Sequence, residues 1–192
     1  MVPGALAEAL MRQTPWVTQG PLYPEKLPLD TDNDLIIVNN SLTPAVGEIT
    51  HLSGRLLDAH GAPIKNAVIE IWQVDHMGTY LQERDQKSAG SFDPNFQGFG
   101  RFETGSNGEY RFRTIKPAPH IHFMVRIKGR GPWTTQLYVK GHPGNQRDRI
   151  YRHIGDAKAQ EAVTVDFTTV KGSRLGELTA RFDIVHDSTT IA

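Results

Sequence analysis

His120 and His122 form the pair of residues in this sequence best suited to chemistry, because one residue separates them on a predicted strand. Side chains alternate along a strand, so both imidazoles face the same side, about 6.6 Å apart (two rises of about 3.3 Å). Two imidazoles at that spacing can bind one metal ion. The residues that face the other way are apolar and suit a core: Ile121, Phe123, Val125 and Ile127. The spacing alone also fits two polar-face histidines that bind nothing.

Several kinds of metal site contain two histidines spaced in this way, and the surrounding residues distinguish between them. A cupin site needs a glutamate a few residues after the second histidine, and residues 123–128 contain none. A copper–zinc dismutase site needs more histidines at set spacings, whereas the remaining histidines of this chain are scattered. A zinc hydrolase is a further alternative, which the lack of an acidic residue in the strand weakens.

Tyr80 is a third candidate ligand. The chain has no cysteine, which excludes thiolate metal sites, iron–sulfur clusters and disulfides. Tyr80 ends the stretch WQVDHMGTY (72–80), just after a predicted strand, where functional side chains are common. A hard phenolate oxygen together with imidazoles suits oxidised iron. Taken alone, a tyrosine in this position is more often a packing residue.

Short strands are the elements that must position these residues. Turn sequences such as AHGAP (59–63) and SNG (106–108) separate runs of alternating or β-branched residues. Helical periodicity is limited to 146–154 and 156–161, and 77–101 is predicted to be a long functional loop. Strands are predicted at 34–38, 49–58, 67–74, 109–114, 121–128, 133–140, 163–168 and 177–185. The sequence thus predicts an all-β fold, an antiparallel β-sandwich with long active-site loops and little helix.

Length and charge agree with one such domain. The 192 residues correspond to about one domain of roughly 150 residues, with an N-terminal arm and extended segment expected in 1–33 and the β domain in 34–192. Lysine and arginine (21) balance aspartate and glutamate (21), which argues against nucleic-acid binding. No run of about 20 apolar residues predicts a membrane span. Alternating alanines at 5, 7 and 9 resemble the end of an export signal, a thin indication of a periplasmic rather than cytoplasmic protein.

Nine segments, in order along the chain, resemble the intradiol ring-cleavage dioxygenases, above all the protocatechuate 3,4-dioxygenase type and its shorter single-chain relatives. They are GRLLD (54–58), PIKNA (63–67), VIEIWQ (68–73), DPNF (93–96), GFGR (98–101), YRFRTIKP (110–117), HIHF (120–123), TQLY (135–138) and ARFDI (180–184). The resemblance covers about 20–187 with compatible spacing. Together the segments are far more specific than any one of them.

The resemblance implies a mononuclear non-haem Fe(III) ion held by tyrosines, histidines and a water-derived ligand. Carried over to this chain, the metal ligands are Tyr80, His120 and His122. Gln136 is implied as a catalytic and substrate-binding residue, and Trp72 as part of the pocket wall. The implied reaction uses O2 to cleave a catechol-type ring between its two hydroxylated carbons, which yields a cis,cis-muconate-type diacid. Family members commonly associate, so a homo-oligomer is a further expectation.

The sequence departs from the family pattern just before His120. Family members usually carry a second ligand tyrosine shortly after the Lys-Pro pair, then a loop with an arginine, and KPAPHIH (116–122) contains neither. Either the site has three protein ligands, or a loop is missing from the sequence between Pro119 and His120. The short run 117–119 leaves little chain to cross between two sheets, which favours a missing loop. A true loss fits the alternative of a non-catalytic structural or binding subunit of the same fold, and the nearest arginines in the sequence are Arg101, Arg126 and Arg130.

Overall fold

The computed structural model describes residues 10–187, and strands make up most of their regular structure. Within those residues the strands are β1 Ile49–Leu57, β2 Val68–Trp72, β3 Phe99–Glu103, β4 Glu109–Ile115, β5 His120–Arg126, β6 Trp133–Val139, β7 Thr164–Val165, β8 Thr168–Thr169, β9 Leu178–Arg181 and β10 Ile184–Val185. The helical segments are a 3₁₀ helix Leu81–Gln86, α1 Arg149–His153 and α2 Ala157–Ala162. A mostly-strand fold with little helix is confirmed.

The strands form two five-stranded sheets. In the first, β1 pairs with β4, β9 and β10, and β8 pairs with β9; the second has the order β3-β2-β5-β6-β7. The prediction of purely antiparallel sheets is wrong, because β1 runs parallel to β9 and β10, and β6 runs parallel to β7. Long connections rather than tight hairpins join these parallel pairs, so no turn forces their strands to run in opposite directions.

Two local predictions are also wrong, and both involve the contact between the segment around Leu35 and β3. The predicted strand 34–38 is limited to an isolated bridge between Asp34 and Arg113, while the predicted loop 77–101 contains the start of β3. Gly100 explains the error: a Cβ at this residue would lie 2.5 Å from the Leu35 side chain. The segment around Leu35 therefore lies against β3, and this close approach requires a glycine at residue 100. The glycine interrupts the alternating pattern by which β3 could have been predicted.

A shared apolar core lies between the two sheets. It contains Leu52 and Phe112 from the first sheet and Ile121, Phe123 and Val125 of β5 from the second. This confirms the predicted apolar row of β5. Because strand side chains alternate, His120 and His122 lie on the opposite face of the second sheet, which we call the site face.

The N-terminal segment and the two α-helices cover part of the site face. Val17 packs with Tyr138, Tyr151 and Val163 in a second apolar cluster. Val17 is also fixed to β6, since its N–H donates to the Thr134 carbonyl at 2.9 Å. The N-terminal segment and the helices therefore shield side chains on this face of β5 and β6 from solvent.

Residues 116–119 make the connection from β4 in one sheet to β5 in the other. Four residues therefore suffice for this crossing, and the reason for expecting a missing loop before His120 does not hold. The alternating alanines at 5, 7 and 9 lie outside the described residues, and between residues 10 and 187 no helix is long and apolar enough to span a bilayer.

Candidate metal centre

The three predicted ligands converge on the site face. Tyr80 Oη lies 3.2 Å from His120 Nε2 and 3.1 Å from His122 Nε2, and the two Nε2 atoms are 3.2 Å apart. Donor atoms that bind one ion at about 2.1 Å, with angles near 100° between them, stand about 3.2 Å apart. The three atoms therefore have the spacing of ligands on one metal ion.

The loop after β2 brings Tyr80 to the histidines. Buried Asp75 shapes this loop, because its carboxylate accepts hydrogen bonds from the N–H groups of Met77 (2.9 Å) and Thr79 (3.0 Å). The Tyr80 N–H then donates to the Glu83 carboxylate at 3.0 Å, at the start of the 3₁₀ helix. Backbone contacts on both sides of Tyr80 thus fix the direction in which its phenol points.

His122 is held in place by two neighbours. Its ring stacks on Trp72 with centroids 4.8 Å apart and an interplanar angle of 9°, as expected from their direct pairing between β2 and β5. Its Nδ1 lies 3.0 Å from Gln136 Nε2. Burial lowers the pKa of His122 well below its usual value, and the neighbouring His120 lowers it further. The imidazole is therefore neutral and keeps a lone pair for a metal.

His120 has an acidic neighbour that the sequence reasoning did not assign. Asp148 Oδ2 lies 3.2 Å from His120 Nδ1, and each side chain is 14% exposed. The carboxylate also caps helix α1 by accepting from the N–H groups of Ile150 and Tyr151. Burial alone would raise the pKa of Asp148, but the His120 contact and these N–H groups lower it, so the group is a carboxylate. The signal that could have identified Asp148 is its position at the N-cap of α1, within the predicted helical stretch 146–154.

Tyr80 needs a cation to ionise. Burial raises its pKa, and the negative charges of Asp148 and Glu83 raise it further. A bound metal ion offsets these effects and displaces the phenol proton, as metals do when they bind ionisable ligands.

Trp72 and Gln136 both contact His122. Trp72 is only 1% exposed and its other face is covered by Tyr23, whose ring centroid lies 5.1 Å away. Gln136 is fully buried, and its two polar atoms face His122 and the Tyr138 hydroxyl. Their substrate-binding roles, and the catalytic role of Gln136, stay predictions. The structure places both residues as supports of a ligand ring.

Tyr80 is the one tyrosine of this chain at the donor triangle. All five tyrosines lie within residues 10–187, and the other four hydroxyls have partners elsewhere. These pairs are Tyr23 with Glu70, Tyr110 with the Phe182 carbonyl, Tyr138 with Gln136, and Tyr151 with Thr164. The described chain therefore offers one phenolate and two imidazoles.

Two of the three candidate arginines are committed to a buried carboxylate. Arg101 and Arg126 contact the two carboxylate oxygens of Glu70 at 2.6 and 2.9 Å, while Arg130 lies beyond the end of β5 that is remote from His120. None of them takes the place of the family arginine beside the triangle.

The donor set, rather than a large cavity, marks this site. Within the described residues, no three histidine, aspartate or glutamate side chains form a metal-binding group, so the third donor is the tyrosine. A cavity of about 590 Å³ lies instead on the first sheet, beside Ser53, Tyr110 and Arg181. Two imidazoles and one hard phenolate oxygen fit an oxidised iron ion.

Comparisons with known proteins show which family this chain belongs to. The family model described as Dioxygenase (Dioxygenase_C) matches residues 18–120. The protocatechuate 3,4-dioxygenase beta chain of Burkholderia cepacia is 35% identical over 175 residues, which cover 82% of this chain and 72% of that protein. The chain belongs to the intradiol dioxygenase family.

Other members of the family show the same relationship at lower identity. The hydroxyquinol 1,2-dioxygenase of Corynebacterium glutamicum is 26% identical over 208 residues, which cover 93% of this chain and 65% of that enzyme. Among solved structures, the dioxygenase domain of a carbohydrate-binding fusion protein from Streptomyces sp. SirexAA-E matches with a TM-score of 0.68 and 25% identity, and covers 92% of this chain and 99% of that domain. This dioxygenase spans only 50% of the catechol 1,2-dioxygenase of Acinetobacter baylyi.

Proposed function

We propose that this chain is a mononuclear non-haem Fe(III)-dependent dioxygenase that uses O2 to cleave a catechol-type ring between its hydroxylated carbons, giving a cis,cis-muconate-type diacid. The observation that supports this proposal is the triangle of Tyr80 Oη, His120 Nε2 and His122 Nε2, with sides of 3.1–3.2 Å. Catechols, protocatechuate and hydroxyquinol appear in the names of the relatives, so we assign the substrate to this class.

Each ligand residue has a defined part in this proposal. Tyr80, His120 and His122 would hold the ferric ion, which would supply Lewis-acid chemistry toward the catechol oxygens. Tyr80 provides a negative charge that favours the ferric state. His120 and His122 provide neutral nitrogens, and Trp72 and Gln136 keep the His122 ring in one orientation. Three protein donors leave other positions for the substrate oxygens and water.

The number of tyrosines at the site determines where the catechol protons can go. A catechol that binds through both oxygens gives up its two protons, and in the family pattern a second ligand tyrosine can accept one of them. Tyr80 is the single phenol at this site, and the Tyr138 hydroxyl contacts Gln136 on the far side of the histidine rings. The catechol protons would therefore pass to water rather than to a second tyrosine.

The fold type, the oligomeric state and the location are further parts of this proposal. We infer that the two sheets form a β-sandwich, since residues of both sheets share one apolar core. A homo-oligomer is proposed from the family resemblance alone, and an exported location from the alternating alanines alone.

The test of the proposed function is the visible absorption spectrum of the iron-loaded protein. We expect one iron per chain and a tyrosinate-to-iron charge-transfer band. Tyr80→Phe should abolish the band, whereas Tyr151→Phe, which removes a hydroxyl that contacts Thr164, should leave it intact. Muconate-type products should then form from one or more catechols of a panel.

Two results would overturn the proposal in different ways. A protein that takes up no iron would refute the metal site. A protein that binds iron through Tyr80 but turns over no catechol would support the alternative of a non-catalytic subunit with a retained metal site.

A further inference from the structure

Three side chains, of which Gln136 and Tyr138 are fully buried and Asp148 is 14% exposed, connect the two histidine ligands on the side away from the donor triangle. Gln136 Nε2 lies 3.0 Å from His122 Nδ1, and the Tyr138 hydroxyl contacts Gln136 Oε1. Asp148 is close enough to Tyr138 to raise the pKa of its phenol, and Asp148 Oδ2 lies 3.2 Å from His120 Nδ1. The chain of contacts therefore begins at one imidazole and ends at the other.

Backbone hydrogen bonds fix the position of Asp148 in this chain of contacts. Its Oδ1 accepts from the Ile150 N–H at 2.7 Å and the Tyr151 N–H at 3.2 Å, which holds the carboxylate at the start of α1. Its Oδ2 is left to face His120. The carboxylate accepts hydrogen bonds only, so every other group in the chain of contacts must donate toward it.

A cation on the Nε2 atoms fixes the direction of each hydrogen bond. An imidazole that binds a metal through Nε2 carries its proton on Nδ1 and donates it to an outer partner. His120 donates directly to Asp148. His122 needs an acceptor, so the Gln136 amide presents its oxygen to His122 and its nitrogen to Tyr138 after a half-turn about its last bond. The Tyr138 hydroxyl then accepts from Gln136 and donates to Asp148.

We propose that Asp148 is a positioning residue for the whole metal centre. It orients His120 directly and His122 through Tyr138 and Gln136, and its negative charge makes both imidazoles stronger donors. This inference rests on the proposed function, because it requires a metal at the triangle of Tyr80, His120 and His122.

Asp148→Asn tests the proposal with little change in shape. Asparagine keeps an oxygen for the N-cap of α1, but it has no charge, and its amide nitrogen cannot accept from His120 or Tyr138. The matched control is Asp156→Asn, which makes the same change at the N-cap of α2. Affinity is measured with Zn2+ against a chromophoric chelator, and the ferric proteins are compared by their visible spectra.

We expect Asp148→Asn to weaken Zn2+ binding by about 10- to 100-fold, the usual effect of losing an outer partner of a metal-bound histidine. Asp156→Asn should stay within about twofold of the unaltered protein, because it lies outside these contacts. The tyrosinate-to-iron band of Asp148→Asn should move to longer wavelength, since weaker histidine donors leave the iron a stronger acceptor. A merely structural role in capping α1 would not move this band.

Tyr138→Phe provides a second test that does not depend on the α1 cap. It breaks only the indirect route, so it should weaken Zn2+ binding less than Asp148→Asn and shift the band in the same direction. If the unaltered protein binds Zn2+ and iron but both variants match Asp156→Asn, the inference is wrong and the proposed function stands. If the unaltered protein binds neither metal, both the inference and the proposed function are wrong.

Discussion

Glu70 is fully buried on the site face, and its ion pairs lead to a stability prediction. Its two carboxylate oxygens contact Arg101 and Arg126, and each guanidinium is 42% exposed. Tyr23 donates to the same carboxylate at 3.1 Å. Each arginine can regain water if the glutamate is lost, but the glutamate has no such outlet if both arginines are lost. We therefore expect the loss of both arginines to lower the free energy of unfolding more than the loss of the glutamate.

The magnitudes follow from burial. Arg101→Met or Arg126→Met leaves Glu70 with one guanidinium and should cost about 1–2 kcal/mol, near the value of a charged hydrogen bond. The double variant leaves an uncompensated buried carboxylate, and such a loss costs about 3–5 kcal/mol or more. The double variant should thus exceed the sum of the single variants by about 1 kcal/mol or more, beyond the error of additivity for independent sites.

Urea unfolding of the metal-free protein at pH 7, followed by tryptophan fluorescence, measures these free energies. Arg181→Met is the matched control, since it breaks an exposed ion pair with Asp183 at 2.9 Å and should cost less than about 1 kcal/mol. Free energies of the single variants that add up to that of the double variant would refute the argument that Glu70 depends on both cations.

Three further outcomes are expected. Burial lowers the pKa of His122 and of His186, so the unfolded chain binds more protons below pH 6.5. The free energy of unfolding measured in urea should therefore decrease by up to about 1.4 kcal/mol for each histidine per unit fall in pH, and His186→Asn should flatten this slope. Gly54→Ala would place a Cβ 1.8 Å from the Phe182 carbonyl and should cost more than about 4 kcal/mol by thermal denaturation, whereas Gly131→Ala, with open space around it, should be near neutral. Metal affinity should rise about tenfold per pH unit, since binding releases the Tyr80 proton, and Tyr80→Phe should remove that slope.

Alternation along strands predicted a large part of the site. It placed His120 and His122 on one face of β5, and the same alternation accounts for Gln136 and Tyr138, which share one face of β6 and contact each other. Both results follow from a period of two residues, which depends only on local backbone geometry. Tyr80 was different, because only the family resemblance connected this tyrosine with the histidines.

Asp148 could not be placed from local pattern. Its role as an N-cap is visible within a few residues of sequence, but its contact with His120 depends on how α1 packs against the site face. Similarly, β3 was hidden because Gly100 belongs to a close approach of the Leu35 segment. Both features arise from contacts between distant parts of the chain.

A site with three protein donors needs rigid donors, because fewer bonds from the protein hold the ion in place. The structure provides this rigidity from three directions. Trp72 fixes the plane of the His122 ring, while Gln136 and Asp148 each contact the Nδ1 atom of one imidazole. Tyr80 is held by backbone contacts within its loop. The short connection before His120 leaves these supports in place, since each support comes from another part of the chain.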